Sequence, residues 1–185
     1  MRDDPEVSMI IPAHNEEKNL EEAVYGAAEQ LREVLDISFE IIIVEDGSID
    51  RTKDIAELID NYINEAKSLH LDKKKGKGKA LEEGFKTADG NILAYMDADY
   101  STDLNHIPDL IKPVGKEAEV IVGSRRLPES QVKRSDLRKL ASWGYNNFRS
   151  LLFDSKVSDY QCGFKAAEAD KLLGLMEEFE RSHWV

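Results

Sequence analysis

Cysteine is almost missing from this chain of 185 residues, and the single Cys162 can form neither an internal disulfide nor a cysteine-rich zinc site. A reducing compartment is the natural setting. Long apolar runs are missing too: none approaches the roughly 20 residues of a membrane-spanning helix. The start, Met1-Arg2-Asp3-Asp4-Pro5, is not the charged opening of a secretory signal. These absences lead to the expectation of a soluble, cytoplasmic chain. Internal repeats and low-complexity linkers are also lacking, which argues for one domain over residues 1–185. Histidine is sparse, and the four present (His14, His70, His106, His183) show no ligand spacing. Of these only His14 is placed to line a pocket. Basic charge is outnumbered, with 25 Lys plus Arg against 37 Asp plus Glu and a net charge of −12. That sign disfavours nonspecific nucleic-acid binding, so no nucleic-acid partner is expected.

What is present is patterned. Residues 73–79 (KKKGKGK) carry five lysines and no acid, and residues 124–150 are rich in Arg and Lys. Two basic islands in an acidic chain mark either solvated loops or a local anion site. Val7–Ile11 is a short apolar run ended by Pro12, and Phe39–Val44 is a second. Both read as buried strands, the second too continuous to be half exposed. Between them Leu20, Ala23, Val24, Ala27, Ala28, Leu31, Val34 and Leu35 recur at helical spacing, with Asn15-Glu16-Glu17 as an acidic start. Ile55 to Ala66 marks a second helix, residues 68–71 a weak strand, and Lys79–Ala88 a third helix. Ile92–Met96 is a strand ending in Asp97, Leu104–Val114 is helical, and Val120–Val122 is a strand before Gly123-Ser124-Arg125. Leu140–Phe153 and Leu172–Phe179 look helical. Strands alternating with helices predict βαβ units and a mainly parallel sheet, whose ligand site lies beyond the carboxyl ends of the strands.

Those ends carry the chemistry. Asp97-Ala98-Asp99 closes an apolar strand, and continued alternation would put both carboxylates on one side of an extended segment. Two hard oxygen ligands suit Mg²⁺ or Mn²⁺, which take their remaining ligands from water and substrate phosphates. A solvated turn is the plainer alternative. Glu45-Asp46-Gly47-Ser48-Ile49-Asp50 offers acids that accept hydrogen bonds from a base or ribose, with Ser48 or Asp50 also capping the next helix. Gly76-Lys77-Gly78-Lys79-Ala80 resembles a phosphate loop. It fails the Walker pattern, because Lys73 replaces the leading glycine and Ala80 the Ser/Thr. Its lysines still suit a diphosphate at a helix N-terminus. Arg125 and Arg126 bring planar guanidinium forks to another strand end. Cys162 reads as a small buried residue, since no nearby histidine would activate it.

Taken in order, Val7–Leu20 (VSMIIPAHNEEKNL), Ile41–Thr52 (IIIVEDGSIDRT), Gly76–Gly84 (GKGKALEEG), Ile92–Asp99 (ILAYMDAD) and Val122–Arg125 (VGSR) resemble the family 2 glycosyltransferases of the GT-A fold. Ser158–Lys165 (SDYQCGFK) is most similar to the branch that glycosylates polyprenyl phosphates, the dolichyl-phosphate glucosyl- and mannosyltransferases. The resemblance implies a Rossmann-like, mainly parallel sheet flanked by helices, with the nucleotide-sugar site at the carboxyl ends of its strands. Glu45 departs mildly from it, standing where the family commonly has Asp. The family also continues past a position like Trp184-Val185 with an acidic Phe-Asp-x-Glu segment and often membrane helices, so a C-terminally truncated domain is expected.

By position, the resemblance implies that Pro12, Ala13, Asn15 and Glu16 border the nucleotide and that Asp46 holds the base. Asp97 and Ala98 would contact the donor, and Asp97 and Asp99 the divalent ion, Mg²⁺ or Mn²⁺. Lys77 and Arg125 would face phosphate, and Asp159 matches an acid placed near the acceptor. The implied activity is inverting transfer of a sugar from a UDP-glucose or GDP-mannose type donor to a polyprenyl or dolichyl phosphate. The Gln-Cys-Gly-Phe-Lys run leans towards UDP-glucose. The acceptor would be met at the cytoplasmic face of a membrane, where the basic stretch Lys133–Lys139 suits an anionic headgroup. Two alternatives are a non-catalytic nucleotide-sugar-binding fragment and a haloacid-dehalogenase-type phosphatase. The phosphatase would need a later pair of acids that residues 166–185 do not supply, and its Asp-x-Asp stands early in the chain.

Overall fold

A computed structural model of the chain describes residues 5–99, 102–124 and 162–181. The chain divides into two compact units, residues 1–121 with 163–185 and residues 122–162. The site described below belongs to the first.

The first strand, β1 (Val7–Ala13), leads through α1 (Leu20–Glu29) and a π-helical turn at Gln30–Val34 to β2 (Phe39–Asp46). Then follow α2 (Thr52–Tyr62), β3 (Ala66–Leu71), α3 (Lys77–Thr87) and β4 (Ile92–Met96). A 3₁₀ turn at Leu104–His106 opens α4 (Ile107–Ile111), and β5 (Val120–Val122), β6 (Phe164–Glu168) and α5 (Ala169–Arg181) complete the described elements. The sheet order is β3-β2-β1-β4-β6-β5, with β1 parallel to β2 and β4, and β2 parallel to β3. The expected mainly parallel α/β sheet is therefore present. β6 was not anticipated: it runs antiparallel to β4, with Lys165 opposite Tyr95 and Phe164 opposite Met96. Its sequence, FKAAE, is too short and alanine-rich to announce a strand, and its pairing with β4 makes it one.

The topology dictates the layers. From β1 the chain steps to β2 and β3 in one direction through α1 and α2, then returns through α3 to β4 on the far side of β1. Right-handed crossovers put α1 and α2 on one face and α3 on the other. The α3 face is closed by Ile10, Ile42, Val44 and Leu93 from the strands, Ala80 and Phe85 from α3 and Ala169 from α5, with Leu172, Leu173 and Met176 packed against them. Alternation turns Met9, Ile11, Ile41 and Ile43 to the opposite face, and these too are fully buried. Burial on both faces explains why β1 and β2 read as unbroken apolar runs.

Helix boundaries shift from the sequence expectation where tertiary pairing intervenes. Apolar spacing carried the second helix on to Ala66, but the helix stops at Tyr62 and Ala66 opens β3, aligned with Ile41. The first helix ends at Glu29, and Gln30–Val34 continues as a wider turn that leaves Val34 exposed. The third begins two residues early, at Lys77. Leu104–Val114 is a 3₁₀ turn and a short helix, with Pro108 in the helix's first turn and Pro113 beyond its end.

Candidate active site

The strand order reverses between β1 and β4, because the chain leaves β1 for β2 and β3 on one side and returns through α3, on the opposite face from α1 and α2, to β4 on the other side. In open α/β sheets a crevice forms beyond the carboxyl ends of the strands at such a point. The segments 12–17, 45–52, 73–77 and 97–99 all lie at this end.

The loops after β1 and β2 are stitched together. Asn15 adopts a left-handed conformation (φ 57°), which asparagine tolerates better than most residues. There its N–H donates to the Ser48 hydroxyl at 3.1 Å, and its side-chain oxygen accepts from the Ile49 N–H at 3.0 Å. That bond fixes the amide orientation, so Asn15 Nδ2 faces Nε2 of His14 at 3.3 Å as a donor. His14 Nδ1 then carries the hydrogen and donates to the Asp46 carbonyl at 2.8 Å. One residue on, the Glu16 N–H donates to Thr52 Oγ1 at 2.7 Å, and the buried Thr52 hydroxyl donates to Asp50 Oδ1 at 2.5 Å. Asp50 also accepts from the N–H groups of Thr52 and Glu17. Desolvation pushes the Asp50 carboxyl up, but these bonds, led by the Thr52 hydroxyl, outweigh it and hold the group below its ordinary value. Asp50 thus stands one residue before the N-cap position, Arg51, and accepts from the first residue of α2 without being the cap expected of it, whereas Ser48 fastens the loop after β1 instead. The Glu16 carboxylate accepts from Asn19 Nδ2 at 2.8 Å. Pro12 and Ala13 end β1, with Ala13 buried.

Glu45 and Asp46 close β2 and are both buried. Glu45 folds back to accept from the Ser48 N–H. Asp46 accepts from the N–H of Lys75 at 2.6 Å and of Gly76 at 2.8 Å, one on each oxygen. A single carboxylate therefore holds the backbone of the lysine loop where it enters α3. Gly47 allows this approach: its φ is +60°, and a Cβ there would lie 2.8 Å from Cα of Lys73.

Asp97 follows β4. Its N–H donates to the carbonyl of Gly163 at 3.0 Å, and its carboxylate is paired with Lys77 Nζ. Because β6 is antiparallel to β4, its amino end arrives at the carboxyl end of β4. Gly163 consequently lies against Asp97, so that a Cβ on Gly163 would fall on that carboxylate. The expected extended Asp97-Ala98-Asp99 segment is corrected here: the strand ends at Met96 and residues 98 and 99 lie in a turn, with Ala98 buried and Asp99 exposed. Tyr95, two residues before Asp97, has Lys77 Nζ 5.4 Å and Lys165 Nζ 5.2 Å from its ring centre, and its hydroxyl meets Lys165 Nζ at 2.7 Å.

The structure thus brings Pro12, Ala13, Asn15, Glu16, Asp46, Lys77, Asp97, Ala98 and Asp99 to one end of the sheet. Arg125 and Asp159 lie outside the described residues. Sequence reasoning missed Thr52 as the buried hinge pin between loops and Lys165 as a partner of Tyr95. It also missed the contact between Gly163 and Asp97, whose only signal was a glycine in the GFK run. Cys162 is buried, as expected. His70, read from sequence as structural, sits 3.6 Å from Glu45 Oε2 and 3.2 Å from the Ser68 hydroxyl. Among the described residues, no three His, Cys, Asp or Glu side chains group to hold a metal unaided, and no helix is long and apolar enough to cross a membrane.

A family model described as glycosyl transferase family 2 matches residues 8–173. Glycosyltransferase AglD of Haloferax volcanii is 35% identical over 181 residues, covering 97% of this chain and 29% of that protein. Dolichyl-phosphate beta-glucosyltransferase of Dictyostelium discoideum is 34% identical over 175 residues, covering 86% of this chain and 53% of that one. This chain thus spans about half or less of the length of these two relatives. Among solved structures, glucosyl-3-phosphoglycerate synthase from Mycobacterium tuberculosis, in complex with Mn²⁺, UDP-glucose and phosphoglyceric acid, aligns with a TM-score of 0.65. The identity is 21%, over 90% of this chain and 57% of that one, a likeness of fold.

Proposed function

The chain belongs to glycosyl transferase family 2, and from that premise we propose that residues 1–185 form the catalytic domain of an inverting hexosyltransferase. The donor is a nucleoside diphosphate sugar of the UDP-glucose or GDP-mannose type, and the acceptor a polyprenyl or dolichyl phosphate met at the cytoplasmic face of a membrane. The observation that carries this reading is the meeting, at the switch between β1 and β4, of Asp97 with Lys77 from a loop that Asp46 holds in place. The relatives named for dolichyl-phosphate glucosyl transfer support the acceptor class and favour glucose. The dolichol-phosphate mannosyltransferase of Pyrococcus furiosus keeps mannose in the comparison.

The residues fit a divalent ion, Mg²⁺ or Mn²⁺. Asp97 and Asp99 are hard oxygen donors two positions apart where β4 gives way to a turn, and the missing side chain at Gly163 makes the space that the Asp97 carboxylate occupies. A site with two carboxylates relies on donor phosphates and water for its other ligands. When bound, the ion supplies charge stabilisation for the departing diphosphate. Lys77 adds a second positive charge at the start of α3, where the helix N-terminus also favours an anion. The loops knit by Asn15, Ser48 and Thr52 border the nucleotide and hold Asp46 in place beside it. An acceptor phosphate oxygen attacks the anomeric carbon from the face opposite the diphosphate. The new C–O bond forms as the old one breaks, with the electron pair leaving on the nucleoside diphosphate and the anomeric centre inverting. Because the second pKa of a phosphate monoester is about 6, the acceptor is largely ionised at neutral pH. Asp159 then orients the sugar, and Arg125 meets phosphate.

Thermal-shift measurements with UDP-glucose and GDP-mannose, each with Mn²⁺ or Mg²⁺, test the donor. A ligand at a hundred times its dissociation constant adds about 2.7 kcal/mol of stability. Transfer to a short polyprenyl phosphate with inversion tests the reaction. Absence of any nucleotide-sugar stabilisation with either metal sinks the reading.

A further inference from the structure

The Lys77–Asp97 pair joins two groups that the proposed reaction needs for different partners. Asp97 is a candidate metal ligand and Lys77 a candidate diphosphate ligand, yet the two are in direct contact. The carboxylate side is fixed: the Asp97 N–H is bound to the Gly163 carbonyl, and the space where a Cβ on residue 163 would stand is taken by the Asp97 carboxylate. The ammonium side is adjustable. Lys77 is the first residue of α3, its side chain is 46% exposed against 26% for Asp97, and its Nζ lies 5.4 Å from the centre of the Tyr95 ring. An ammonium that leaves the carboxylate therefore keeps a second favourable neighbour in the aromatic face.

We propose that Lys77 is an exchangeable counter-ion for Asp97: the lysine and a divalent cation contend for the same carboxylate, and a cation arriving with a nucleoside diphosphate displaces the ammonium onto the diphosphate. This rests on the reading of the site given above and adds a coupling to it. One ammonium and one divalent ion cannot both take the same Asp97 oxygen at close range, because like charges repel there. A cation arriving alone must break the ion pair and strand Lys77 with the ring. A cation arriving with a diphosphate offers Lys77 two new anionic oxygens as it takes Asp97 away. The pair thereby disfavours metal alone and favours metal with donor, so that the two bind with positive coupling. Tyr95 tethers the lysine during the exchange.

The experiment is Mn²⁺ binding to the intact chain followed by electron paramagnetic resonance of free Mn²⁺, with and without UDP, for wild type, Lys77→Met and Asp97→Asn. Removing a partly exposed ion pair shifts affinity modestly, so Lys77→Met is expected to bind Mn²⁺ alone about two- to five-fold more tightly than wild type. The same variant is expected to bind Mn²⁺ with UDP more weakly than wild type, so that the coupling between the two ligands falls. Lys77→Arg, which keeps the charge, should restore most of the coupling. Unchanged or weaker binding of Mn²⁺ alone by Lys77→Met overturns the exchange, while UDP-dependent Mn²⁺ binding by the wild type in that experiment leaves the donor-site reading standing. If wild type binds no Mn²⁺ even with UDP, or if Asp97→Asn binds it as wild type does, the assignment of Asp97 to the metal fails and the exchange fails with it.

Discussion

At the amino end of the sheet, Glu40 is 5% exposed and accepts hydrogen bonds from the Ser8 hydroxyl at 2.6 Å, the Asp89 N–H at 2.8 Å and Lys67 Nζ at 2.7 Å. The Ser8 hydroxyl in turn accepts from the Gly90 N–H at 2.8 Å. At the carboxyl end, Asp97 is also an acid paired with a lysine and touching backbone, but both partners remain open to solvent. The two sites share their residue types and differ in saturation. Around Glu40, hydroxyl, amide and ammonium donors tie β1, β2, β3 and the entrance to β4 together and leave little room for a ligand. Around Asp97, lone pairs and a cation stay reachable. Burial raises the Glu40 carboxyl, but the Asp89 N–H, Lys67 and Ser8 together bring it below its ordinary value. Lys67 is correspondingly raised, chiefly by its hydrogen bond to Glu40. The amino end is a clasp, and the carboxyl end is a place where partners can be exchanged.

Substitutions should separate the two ends. The largest effect is expected from Asp99→Ala, which removes a proposed metal ligand without touching the core. Metal-dependent binding of a nucleotide sugar should vanish in calorimetry while the unfolding midpoint stays put, and unchanged affinity with Mn²⁺ would return Asp99 to an ordinary turn. Next is Glu40→Ala, which leaves the Asp89 N–H and the Ser8 hydroxyl without their acceptor. A cost of about 2 kcal/mol is expected in urea unfolding, with donor affinity of the folded protein unchanged. A change in donor affinity would mean the ends are coupled and would break the contrast drawn between them.

Asp46→Ala stands between the two ends in kind, since Asp46 is buried yet holds a ligand loop. Freeing Lys75 and Gly76 should weaken UDP binding about tenfold, or roughly 1.4 kcal/mol, even without metal. A loss seen only with metal present would assign Asp46 a different task. The smallest effect concerns pH. Glu40 titrates lower in the folded chain than its ordinary value of 4.5, so its contribution to stability is present above that value. It drains away as pH falls through the lower folded value. Glu40→Gln should therefore flatten the acid limb of the stability profile, and an unaltered limb would show that other carboxylates govern it.

Much of this was legible in the chain. The unbroken apolar runs of β1 and β2 announced strands buried on both faces, and the acids following them announced where a ligand belongs. The spacing of Leu20, Ala23, Val24, Ala27 and Ala28 marked the buried stripe of α1, and each is buried. β6 stayed hidden because Phe164–Glu168 has no apolar run, and its strand character comes from an edge offered by β4. The end of α2 stayed hidden because Ala66 fits the helical period and the register of β3 equally well. At the site, Asp97 and Lys77 were each singled out, but their pairing was not, since it depends on how the start of α3 stands relative to the end of β4.

The sequence by itself determined the α/β class, the order of the strands along the chain, and the gathering of Asn15, Glu16, Asp46 and Asp97 at one end of a sheet. Those properties follow from local periodicity and from a topology rule that needs no side-chain detail. Only the tertiary structure decided that an antiparallel β6 brings Gly163 against Asp97 and that Asp46 serves the backbone of the lysine loop. It alone decided that Lys77 neutralises Asp97 across the switch point and that Glu40, a similar acid, is locked away at the other end. Those outcomes depend on which donor reaches which oxygen, and hydrogen bonds and ion pairs between distant segments are set by distance and direction in three dimensions, which spacing along a chain does not encode.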